Sequence, residues 1–171
     1  MATPRFYGKY RGRVENNLDP FGQGRLQVSV PAVLGDARMA WAMPCSPYAG
    51  PGVGLFLIPP TGAQVWVEFE GGDPDYPIWA GGFWGVGEAP NPAPGPQQIA
   101  AMTLKTDCIT LTLNNLPGAG GLTLEVTPPA VAVAAKIEIT SAGITISHAQ
   151  SKIQLTATGV AINGDALTVL P

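Results

Sequence analysis

The sequence predicts an all-β protein in two parts: a small five-stranded barrel, then a triangular prism of short strands built from three intertwined chains. Three observations lead there. Gly and Pro together number 40 of 171 residues, and charged residues are only 12%, a composition of short strands and turns. No 12-residue stretch carries helical periodicity. Between Lys136 and Pro171, apolar pairs with one residue between them recur at steps of seven, nine, seven and seven. Each pair fits one short strand with both side chains on one face.

The elements follow in order. Strands are expected over 6–15, 24–31, 39–46, 64–70 and 77–83. Leu26, Val28 and Val30 point one way against Gln27 and Ser29, and Val65, Val67 and Phe69 oppose Trp66 and Glu68. Five such strands with Gly- and Pro-rich connections suit an OB-fold, assigned to residues 1–87. Residues 88–98, EAPNPAPGPQQ, alternate prolines and predict an extended linker. Residues 99–171 carry seven charges and eleven threonines and form the prism. Its expected trimer core is Ile137, Ile139, Ile144, Ile146, Ile153, Leu155, Val160 and Ile162, continued upstream by Met102/Leu104, Ile109/Leu111/Leu113 and Leu122/Leu124/Val126. Repeats this short suit three chains, each giving one strand to a face before stepping round a corner. Each buried Ile or Leu would contribute about 1.5–3 kcal/mol, and an isolated chain would leave that surface in water.

Composition limits the function. A net charge of −3 weighs against nucleic acid. No run is long and apolar enough for a transmembrane helix, and MATPRFYGKY lacks a signal core, so synthesis in the cytoplasm is expected. Cys45 and Cys108 are read as reduced and structural.

No constellation for catalysis or metal emerges. Asp73 and Asp75 lie in GGDPDYP, a turn-forming string whose aspartates cap their own backbone. Glu68 and Glu70 share the outer face with Trp66. Ser46, Ser141, Ser147 and Ser151 lie in no nucleophile motif, and GAGG at 118–121 is a hairpin tip, not a phosphate loop. His148, the sole histidine, has the parity of Ile144 and Ile146. Three copies could ring an axis, or HAQS could turn a solvent-facing corner. Arg5, Lys9, Arg11 and Arg13 cluster among Phe6, Tyr7 and Tyr10. They suit a protein contact, or, on an OB-fold, a single nucleic-acid strand.

The stretch from Trp41 to Gly85 resembles the OB domain of contractile-tail spikes, the phage baseplate assembly protein V family and the VgrG spikes of type VI secretion. The shared residues are Trp41, Pro47-Tyr48-Ala49-Gly50, Gly54, Pro59, Gly62, Val65, Val67, Phe69, Gly72-Asp73-Pro74-Asp75, Pro77 and Gly81. GRVENNLDPFGQGRLQVSVP resembles the family's first two strands, and GVAINGDALTV its terminal prism strands. The resemblance implies a non-enzymatic homotrimeric spike, without cofactor or metal, assembled into the baseplate of a virion or injection-system particle. It implies a hub protein facing Arg5, Phe6, Tyr7, Arg11 and Arg13, a PAAR-like cap on Leu167, Val169, Leu170 and Pro171, and a target-cell envelope met on firing. No His-x-His apex is present, so the tip is metal-free or supplied by another protein. The alternative is an OB-fold module for single strands or oligosaccharide with a trimerisation tail. The short repeats and the lack of a consistent catalytic constellation weigh against a β-helical carbohydrate-active enzyme.

Overall fold

The structure is a computed structural model describing residues 4–90, 95–164 and 166–169. The chain divides into two compact units, Met1–Val86 and Gly87–Pro171.

In the first unit, alternating apolar residues close a barrel. Its strands are β1 (Tyr10–Asn16), β2 (Leu26–Ser29), β3 (Met39–Pro44), β6 (Gln64–Phe69) and β7 (Pro77–Phe83), in spatial order β1-β2-β3-β7-β6. The parallel β3–β7 pair closes it, while the other neighbours run antiparallel. Inside sit Val14, Leu26, Val28, Val30, Ala42, Val65, Val67 and Phe69. The parity expected for 26–30 and 65–69 is the parity observed: inward positions are buried and outward ones half-buried.

Three local features differ from expectation. β1 starts at Tyr10 rather than residue 6, because Gly8 takes φ +99° and breaks the strand. Phe6 then turns its ring against Tyr10 and Phe69, at 6.2 and 6.3 Å. A helical turn, α1 (Pro31–Leu34), follows β2, with Pro31 in its first turn and Gly35 at its end, the usual asymmetry of helix ends. Between β3 and β6 lies a two-stranded hairpin, β4 (Ala49–Gly50) with β5 (Val53–Gly54).

The proline tract also differs. Residues 91–94 lie outside the described residues, but Pro96–Ala100 forms a short helix, α2. Proline's fixed φ opens a helix as readily as it extends a linker.

The second unit is one antiparallel meander. Its strands are β8 (Ala101–Lys105), β9 (Ile109–Asn114), β10 (Gly121–Val126), β11 (Ala135–Thr140), β12 (Gly143–His148), β13 (Ser151–Thr156), β14 (Gly159–Ile162) and β15 (Leu167–Val169). Each pairs with its sequence neighbours, so the ladder runs within one chain. Two-residue connections after β11, β12 and β13 reverse the chain as tight hairpins. HAQS is one of these turns, with Ala149 at φ +53°. The tip at 118–121 is a hairpin turn as expected, with Gly118 at φ +76°.

Candidate functional site

Because residues opposite each other on neighbouring strands share a face, the register of the meander decides what its surface presents. One column runs Met102, Leu113, Leu122, Ile139, Ile144, Leu155, Val160, Val169. Beside it runs Leu104, Leu111, Leu124, Ile137, Ile146, Ile153, Ile162, Leu167. The structure thus brings all eight expected core residues onto one face with eight more. None of the sixteen is buried. No described residue of this unit is buried, and Ile146 and Met102 are 46% and 57% exposed. An uncovered apolar face of this extent marks an association surface.

The opposite face is polar. Thr103, Thr112, Thr123, Glu138, Thr145 and Gln154 oppose one another in sequence, and Lys136 pairs with Glu138 at 2.6 Å. His148 falls on the apolar face by register, beside Ala135 and Ser151, but at the strand end and exposed. Of the expected tip residues, Leu167 and Val169 form the last rung of the two columns. Leu170 and Pro171 lie outside the described residues.

The barrel surface resolves the remaining candidates. Asp73 accepts the backbone N–H of Asp75 at 3.1 Å and pairs with Arg5 at 3.0 Å. Asp75 pairs with Arg38, and Glu68 with Lys9. The carboxylates of GGDPDYP therefore brace a turn. The basic cluster is dispersed. Arg5 and Lys9 are held in those pairs and Phe6 packs at the barrel mouth. Arg11 lies over the rings of Trp66 and Phe83, 5.5 and 5.0 Å from their centres. Tyr7, Arg11 and Arg13 remain exposed.

Sequence reasoning missed the loop between β1 and β2. Asp19, its side chain only 4% exposed, accepts the backbone N–H groups of Phe21, Gln23 and Arg25 at 3.0, 2.8 and 3.2 Å. It also accepts Nε and Nη2 of Arg25 at 3.0 and 2.7 Å. The Arg25 guanidinium, aided by these N–H groups, holds the carboxyl well below its ordinary value of 3.8 despite burial. A depressed carboxylate contributes stability above its unfolded pKa and loses it as pH falls through the acidic range. Asp19→Asn should therefore lower the barrel's melting temperature at pH 7, and the gap from the parent should shrink below about pH 4. Thermal unfolding across pH checks this.

An all-β chain with a small barrel and a sheet that exposes its apolar face is a protein built for assembly. Residues 10–84 match the type VI secretion system/phage-baseplate injector OB domain, and residues 101–168 match the phage baseplate V C-terminal trimerisation domain. The chain belongs to this family of baseplate spike proteins. No curated protein matches it. The family gives it a structural role in a baseplate, and the trimerisation domain supports self-association as a homotrimer. Among the described residues no helix is long and apolar enough to cross a membrane.

Proposed function

We propose that three copies pack the apolar faces of their sheets together and form the central spike of a contractile phage tail or phage-tail-like injector. The uncovered double column carries this reading. Three sheets facing inward would bury it, leaving the threonine-rich faces outside as the surface of a narrow shaft. The role is mechanical and non-enzymatic: contraction drives the spike into a cell envelope. The chain is made in the cytoplasm and assembled into the particle, with residues 1–87 as a collar, 88–98 as the connection and 99–171 as the needle. Tyr7, Arg11 and Arg13 are the exposed cluster members that would meet a hub protein. The ion pairs of Arg5 and Lys9 favour assembly over strand binding, which would call on free cations.

Light scattering tests the trimer. The expected native mass is three times 17.7 kDa, with trimers persisting on an unheated denaturing gel. A folded monomer would end the spike reading. At the distal end, a PAAR-like cap would sit on Leu167, Val169, Leu170 and Pro171. A chain ending after Asp165 should keep its trimeric mass and lose co-purification with the cap. Undiminished capture would remove the cap from this end.

A further inference from the structure

From Met39 to Val67 the chain has no charged residue, 29 positions in a row. This stretch builds a groove of about 720 Å³ on the barrel, and none of its lining residues is charged. The groove is braced from within. Ser46 Oγ donates to the carbonyl of Tyr48 or Leu55, at 3.0 and 3.1 Å. Leu55 N–H donates to Tyr48 O at 2.9 Å, and the Trp79 indole N–H donates to Gly24 O at 3.1 Å. Its rim is nonetheless open: Tyr48, Val53 and Phe56 are 61%, 55% and 68% exposed, and Leu55 and Leu57 about half.

We infer that this groove is where one barrel meets the barrel of another copy, so that the first unit makes its own contact in the assembly. The inference rests on the homotrimer proposed above. A trimerising sheet holds three barrels on segments of 17 residues, from Trp84 to Ala100. Such tethering raises their mutual concentration into the millimolar range, where a contact too weak to form between free barrels is populated. In a cyclic trimer the groove would meet a different patch of the next barrel, and a surface without charge avoids the cost of stripping water from an ion. Apolar area with few charges is also the composition of the contact cores in homo-oligomers. A braced groove needs no reordering when it is covered, which lowers the entropy lost on contact.

The test uses the full chain with Phe56→benzoylphenylalanine, and Tyr48→benzoylphenylalanine as a second position should the first fail to fold. Each is illuminated after its native mass is measured. The expected result is a trimeric mass and a new denaturing-gel band at twice 17.7 kDa, with the adduct mapping by mass spectrometry to residues 1–86 of a second copy. A trimeric mass without that adduct, or with adducts only to residues 101–168, overturns the barrel contact and leaves the sheet-mediated trimer standing. A monomeric mass overturns both.

Discussion

Ile146→Asp is expected to abolish the proposed trimer while Thr145→Asp leaves it intact. These residues are adjacent in sequence, but the register puts them on opposite faces. Ile146 lies between Ile137 and Ile153 in an apolar column, and Thr145 between Glu138 and Gln154 on the polar face. In the proposed assembly a carboxylate at 146 would be buried without a partner in each of three chains. An uncompensated buried charge costs at least about 3 kcal/mol per chain, and removing the isoleucine forfeits about 1.5–3 kcal/mol more. Per chain the loss is at least about 4.5 kcal/mol, comparable to the whole stability of a marginal domain. At position 145 the new charge stays in water, where surface substitutions shift stability by about 0.5 kcal/mol or less. Light scattering should read a monomer or aggregate for the first variant and the parent mass for the second. Equal masses for both would mean that the columns are not the association surface.

Gly143→Ala has the second largest effect, for a reason belonging to the single chain. Gly143 opens β12 at φ +133°, and a Cβ there would lie 2.0 Å from the carbonyl oxygen of Leu155 on β13. The obstacle is backbone, so no rotamer relieves it. The unusual φ alone costs on the order of 1–3 kcal/mol for a residue with a side chain. Separating the strands to admit the methyl would also break ladder bonds on both sides. The same arrangement recurs at Gly121, whose added Cβ would meet Ile139 O at 2.1 Å. Gly118→Ala is the comparison, since its φ is also positive but nothing lies within 4 Å. The heat needed to dissolve the trimer on a denaturing gel should fall much further for Gly143→Ala than for Gly118→Ala. Equal shifts would mean that backbone conformation, not the close approach of β13, sets the cost.

Legibility divides along physical lines. The barrel core and the apolar columns could be read because a strand's period of two marks its faces directly, as at Val65, Val67 and Phe69. The pairing partner was not readable from the same pattern. A six-residue strand with a two-residue turn spaces its apolar pairs much as a strand turning a prism corner does. Glycine at the first position of β10, β12 and β14, each at positive φ, marks where the hairpins close. The Asp19 cage escaped notice because Asp-Pro reads simply as a turn, and its arginine arrives six residues later. The groove escaped because its signal is an absence, a long interval without charge, which motif reading passes over.

The meander has a consequence for how the particle is made. Every strand of the second unit finds its hydrogen-bonding neighbour next in sequence, so most contacts are local and inexpensive in chain entropy. A braided needle would require three chains to wind together from the start. In the assembly proposed above, each chain would fold its own sheet first, and three sheets would then meet and close. Two separately produced batches, each carrying a different tag, could then yield mixed particles when combined, provided that closing is slower than mixing.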